Sequence, residues 1–192
     1  MELTEEDKVI LLSAARKSIN SVFSEVYVKT PDYTQFPNLK QNYGAFVTLR
    51  INSELRGCIG YIFAQTALFE TVCDAAKQSA FSDPRFFPLT YNELSEVDIE
   101  ISVLSVPVRI NSYEDIKLGI HGLLLEEGLH KSVLLPQVAT ENHLNIEEFL
   151  SILCDKAGLS SQLWKVKMLN LKSFEAQVFS EKEIMRKENE KN

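Results

Sequence analysis

Apolar residues recur at helical spacing near the start of the chain, at Val9, Leu12, Ala15, Ile19 and Val22, and predict a helix over residues 4–23 with that set facing inward. Thr4 and Asp7 stand three apart just before this run, the spacing at which side chain and backbone cap each other. Both periods disappear over residues 30–42, where Pro31, Pro37 and scattered aromatics predict a loop packed by Tyr33 and Phe36. Residues 43–51 and 55–63 are rich in β-formers and flank Asn52-Ser53-Glu54, which reads as a hairpin. Residues 66–81 return to helical spacing, with Leu68, Val72, Ala75, Ala76 and Ser79 inward. After Asp83-Pro84-Arg85 and a short turn at residues 91–94, Val97, Ile99, Ile101 and Val103 alternate with Asp98, Glu100 and Ser102, as in a strand with one buried face.

The second half repeats this order. Residues 119–125 and 129–135 predict a hairpin around Glu127-Gly128, residues 145–157 a helix, and residues 164–171 and 174–179 further strand. Hairpin, helix and strand thus occur twice, which reads as an internal duplication of one unit. The expected fold class is α+β, with a single domain over residues 1–180 and a charged tail at 181–192 that frays.

Composition narrows the function. With 45% hydrophobic and 24% charged residues in 192, the chain has the makings of an ordinary core and needs neither metal nor disulfide to fold. Its longest apolar runs, such as 122–125 and 133–135, are too short to span a bilayer, and the acidic start lacks the basic segment of a secretory signal. Cys58, Cys73 and Cys154 form an odd set without Cys-x-x-Cys spacing, which fits reduced thiols and a cytoplasmic location. A formal charge of −7 disfavours nucleic acid as a partner. His121, His130 and His143 are scattered, so no metal is expected, and the absence of Gly-x-Gly-x-x-Gly or Walker spacing leaves no cofactor cradle.

The most distinctive run is Glu54-Leu55-Arg56-Gly57-Cys58-Ile59-Gly60. Strand alternation sends Leu55 and Ile59 to one face and Arg56 with Cys58, about 7 Å apart, to the other. A cation beside a thiol favours the nucleophilic thiolate, while Gly57 and Gly60 leave room for a ligand or another backbone. Cys58 equally reads as an inert buried thiol, and Arg56 as half of a structural ion pair. Asp83 and Arg85 could grip an anionic ligand at a turn, or simply build that turn. His121, between glycines, is a candidate base for Cys58 and equally a core histidine. Glu100 and Ser102 project from the polar face of their strand, toward a cleft or toward solvent.

Leu-Arg-Gly-Cys-Ile-Gly at 55–60 resembles the signature hexapeptide of the AMMECR family. The resemblance continues in order through residues 44–49, 80–86, 100–105, 119–123, 134–139 and 148–150 to 156–159 and Trp164, and so covers about residues 8–180. It implies antiparallel sheet with flanking helices, two unequal lobes and a cleft between them. It supplies no activity. Relatives resemble component A of the AmmeMemoRadiSam system, which implies a Memo-like protein and a radical-SAM protein as partners. Two classes of function follow: an accessory or binding component receiving a small molecule, peptide or partner protein, with Arg56, Gly57, Gly60, Asp83, Arg85 and Ser102 as ligand contacts; or a cysteine-dependent small-molecule or modifying enzyme using Cys58, His121 and Glu100. A nucleic-acid-linked regulatory role stands third, against the charge.

Overall fold

The computed structural model describes residues 2–189. They form two compact units, one of residues up to Val103 joined by those from Gln177 on, the other the continuous stretch Leu104–Ala176.

In the first unit, α1 (Glu5–Asn20) begins where the sequence places its cap: Asp7 N donates to Thr4 Oγ1 at 3.1 Å and Thr4 N to Asp7 Oδ2 at 3.0 Å. Asp7 is buried, and its carboxylate also accepts from Asn38 Nδ2 at 2.9 Å, the partnering that a buried charge requires. Leu11, Leu12, Ala15 and Ile19 make the buried stripe, whereas Val9 and Val22, expected inward, are 43% and 54% exposed. Val9 falls off the stripe set by Leu11, Ala15 and Ile19, and Val22 follows the end of the helix.

The predicted hairpin forms from β1 (Ala45–Ile51) and β2 (Glu54–Tyr61). Asn52 and Ser53 both take positive φ, 51° and 70°, the conformation that matches a two-residue turn to the twist of its strands. On its other side β1 pairs with β3 (Asp98–Leu104), and both ladders are antiparallel. The helix α2 (Leu68–Phe81) packs over β1 and β2, burying Leu68, Val72, Ala75, Ala76 and Ser79 as their spacing predicts. Each large aliphatic side chain removed from water in this way contributes about 1.5–3 kcal/mol.

The second unit contains β4 (Val108–Arg109), β5 (His121–Glu127), β6 (His130–Leu134), α3 (Pro136–Glu141), α4 (Ile146–Lys156), α5 (Leu163–Val166) and the start of β7 (Leu171–Ser180). There β5 pairs with β6 and β7, and β4 with β7, all antiparallel. Asn145 and Glu148 cap α4 reciprocally. The strand expected at 164–171 does not form: α5 takes its place, Trp164 Nε1 donates to Ser151 Oγ at 3.0 Å, and pairing with β5 begins only at Leu171. The apolar alternation of Trp164 and Val166 had no face to bury, since Val166 is 83% exposed.

The last four residues of β7 belong to the first unit, where β7 neighbours β3. From Glu181 the expected tail is instead a helix, α6 (Glu181–Asn189). The Glu181 carboxylate accepts from Arg16 Nε at 3.0 Å and from Ile99 N at 3.2 Å, contacts across the sequence that no charge count reveals. Residues 190–192 of that tail lie outside the described residues. Among the described residues no helix is long and apolar enough to cross a membrane.

Candidate functional site

The signature run lies on β2, and its register is broken. Arg50 pairs with Leu55 but Leu49 with Gly57, so Arg56 is the extra residue of a β-bulge. The extra residue reverses alternation: Leu55, expected in the core, shares the face of Arg50 and is 37% exposed. Because residues directly opposite in an antiparallel ladder share a face, Cys58, Thr48 and Glu100 form one row across β2, β1 and β3, and Gly60, Phe46 and Ser102 the next. Gly57, Leu49 and Ile99 form a row on the other face, beneath α2, as do Ile59, Val47 and Ile101.

A helix hydroxyl enters this hairpin. Ile59 N donates to Ser79 Oγ at 2.8 Å, and Ser79 Oγ donates to Val47 O at 2.7 Å, so Ser79 bridges two residues that are register partners. Such an approach of α2 requires Gly57, where a Cβ would stand 2.1 Å from Ser79 O. Gly60 is confined by its own hairpin, since a Cβ there would lie 2.3 Å from Ala45 O.

The turn after α2 reaches the backbone of Cys58. Asp83 Oδ2 accepts from Cys58 N at 2.9 Å, and Arg85 Nη2 donates to Cys58 O at 3.2 Å. The two side chains thereby satisfy both backbone groups of Cys58, as a neighbouring strand would. Asp83 also accepts from Arg85 N at 3.1 Å, Nε at 2.9 Å and Nη2 at 2.7 Å. With Asp83 4% exposed, the Arg85 guanidinium and these other donors hold its carboxyl at about 2. Arg85 itself keeps 54% of its side chain exposed.

Arg56 is engaged elsewhere. Its Nε and Nη2 donate to Glu93 at 2.7 and 3.2 Å, and Glu93 also accepts from Thr90 N and Oγ1, both at 2.8 Å. Arg56 first, then Thr90, holds the Glu93 carboxyl at about 2 against the opposing effect of its partial burial. The expected lowering of the Cys58 thiol by Arg56 is therefore replaced by the reverse: burial pushes the thiol up, and Asp83 and Glu100 add to the rise. Thr48 Oγ1, donating to Cys58 Sγ at 3.3 Å, and Arg85 oppose it less strongly.

The first unit thus brings together Cys58, Glu100, Asp83 and Arg85, with Arg56, Gly57, Gly60 and Ser102 on the same strands. His121 opens β5 in the second unit, where its Nδ1 accepts from Lys117 N at 3.2 Å. Among the described residues no group of three His, Cys, Asp or Glu could hold a metal. Sequence reasoning gave no role in the site to Thr48, to Glu93 or to Ser79, which it placed only on the inward face of its helix. Glu93 had a visible signal, the Thr90-x-x-Glu93 capping spacing; Thr48 and Ser79 gain their roles only through register and helix packing.

Comparison with known proteins gives this arrangement a family. The AMMECR1 profile matches residues 12–179. A protein of Methanocella arvoryzae is 40% identical, with 94% of each chain covered, and one of Saccharolobus islandicus is 40% identical over 94% of this chain and 84% of its own. The crystal structure of an uncharacterized protein from Pyrococcus horikoshii superimposes with a TM-score of 0.87 at 33% identity, covering 96% of both chains. On these matches, the chain belongs to the AMMECR1 family.

Proposed function

We propose that this chain is an accessory or binding component, acting with Memo-like and radical-SAM proteins, and that the β2 corner around Cys58 is a recognition surface. The observation carrying this reading is the state of its charged groups. A cysteine nucleophile needs a thiolate at neutral pH, yet burial and two carboxylates favour the neutral thiol of Cys58. Arg56 and Arg85 are both paired, with Glu93 and Asp83, but Arg56 keeps only 17% of its side chain exposed against 54% for Arg85, whose Nη1 lies outside the bonds to Asp83 and Cys58, so Arg85 is the group best placed to meet an anionic moiety. Recognition needs such a rigid, preset donor and no proton transfer. Peptide and small-molecule ligands with a carboxylate or phosphate both match it.

Alkylation of Cys58 across pH, read by mass spectrometry with Cys73 and Cys154 as internal controls, tests the reading. The expected inflection lies above that of a free cysteine, about 8.5. An inflection below about 7, with Cys58 the fastest of the three, would replace the binding reading with the cysteine-enzyme reading. Affinity purification of the endogenous protein supplies the partner arm: retention of Memo-like or radical-SAM proteins that is lost in Arg85→Ala is expected, and retention independent of Arg85 removes this corner from the interface.

A further inference from the structure

The helix α2 carries two exposed carboxylates four residues apart, Glu70 and Asp74, a spacing at which like charges repel on one helix face. Each is steadied by a phenol: Tyr33 Oη donates to Glu70 Oε1 at 2.8 Å, and Tyr61 Oη donates to Asp74 Oδ2. Burial and Glu70 push Tyr33 well up, so the phenol stays protonated and its partner remains an acceptor. The two carboxylates edge a groove of about 480 Å³ whose other walls include Tyr61, Phe63, Thr66 and Thr71. Tyr61 and Phe63 present rings that are 37% and 56% exposed. Among the described residues no lysine, arginine or histidine lines this groove; Lys77, further along the same helix, lines the adjoining one.

This combination selects among ligand classes. An anion meets two negative charges and no donor cation. A bare metal ion lacks its ligand set, since no cluster of three metal-binding side chains occurs among the described residues. A purely apolar ligand would use the rings and leave both carboxylates to be desolvated without compensation. An organic cation uses everything present, because carboxylates accept charge-assisted hydrogen bonds from it and aromatic faces attract it. We propose that this groove binds a primary alkylammonium, its methylene stem on the Tyr61 and Phe63 rings and its ammonium between Glu70 and Asp74. Free aliphatic diamines and lysine side chains share this chemistry, and the volume is that of a small-ligand site.

The test is an NMR titration of the whole chain at low salt, following backbone amides of residues 63–74, with three probes: 1,5-diaminopentane, Nα-acetyl-lysine methylamide and the neutral 1-pentanol. Saturable shifts with the amines and none with pentanol are expected; a stronger response to the diamine identifies a free amine as the source, a stronger response to the lysine derivative a protein side chain. The Glu70→Gln/Asp74→Asn double variant weakens amine binding by about tenfold or more, and Phe63→Ala by about fivefold. Phe63→Ala removes an exposed ring and keeps the comparison usable if the double variant does not fold. Equal response to pentanol, no saturable response to either amine, or amine affinity unchanged in Phe63→Ala overturns the proposal.

Discussion

The β1–β2 and β5–β6 hairpins follow one plan, a tight turn with a helix against one face and a serine hydroxyl linking helix to strand, but they use that serine in opposite ways. In β5–β6 the serine belongs to the strand: Ser132 Oγ donates to Leu153 O of α4 at 2.6 Å, and the register runs unbroken from Leu123 opposite Leu134 to Glu127 opposite His130. Its charges lie outside, where Lys172 and Lys131 meet Glu126 at 2.7 and 3.5 Å. In β1–β2 the serine belongs to the helix and stands between the strands, the register slips at Arg56, and a nearly buried aspartate holds the backbone of Cys58. A regular ribbon satisfies its own backbone and needs only ordinary packing. An irregular one transfers backbone bonding to chosen side chains, and every such side chain becomes indispensable.

Two glycines test that contrast most sharply. Gly57→Ala places a methyl 2.1 Å from Ser79 O and is expected to destabilise by about 3 kcal/mol in urea denaturation. Gly128→Ala at the other turn meets nothing within 4 Å but keeps a φ of +63°, so about 1 kcal/mol is expected. Equal costs would show that the close approach of α2 is not a constraint and would break the comparison. Acid provides the next test. Asp83 has its carboxyl lowered to about 2, so its contribution, about 2 kcal/mol, is fully present above the unfolded value near 4 and is lost as pH falls from there through 2. Asp83→Asn should therefore be less stable at pH 7 and show a flatter stability profile between pH 4 and 2. Glu126 and Glu127 are also lowered, by Lys172 and Lys167 foremost, but these partners keep a third and a half of their side chains in solvent, which makes that part sensitive to salt. A flat profile in the unmodified protein, or one that 0.5 M salt abolishes, would erase the difference between the hairpins. The smallest expected effect is a gain: Ser53→Gly relieves a non-glycine residue at φ 70° and should stabilise by about 0.5–1 kcal/mol, seen as a raised thermal midpoint.

These sites also mark where the sequence could and could not be read. The inward face of α2 was legible because packing there obeys one period from end to end, whereas the alternation of β3 holds only as far as Ile101, and Ser102, expected on a polar face, is buried with Val103 and Leu104. Leu55 was misplaced because a bulge has no period, and one inserted residue exchanges the two faces of everything before it. The tie between Asp83 and Cys58 spans 25 positions and leaves no local trace beyond a turn-forming Asp-Pro. Arg56 and Cys58 stood out in the sequence as unusual neighbours, but their electrostatics depend on Glu93 and Glu100, which only folding brings near. The helix cap at Thr4 was the easiest detail, being contained within four residues, and the same spacing at Asn145 and Glu148 went unread.

The division of the chain has a consequence in time. The first unit is interrupted by the whole of Leu104–Ala176 and completed by residues from Gln177 on. A ribosome delivers residues at about 5–20 per second, so seconds separate the synthesis of β3 from that of the β7 segment beside it. Through that interval the second unit emerges as one uninterrupted piece, while the first waits with Ile99 N and Arg16 lacking Glu181. The nascent protein thus exposes the unpaired backbone edge of β3 until the residues from Gln177 on arrive, the kind of surface that chaperones hold and that aggregation exploits.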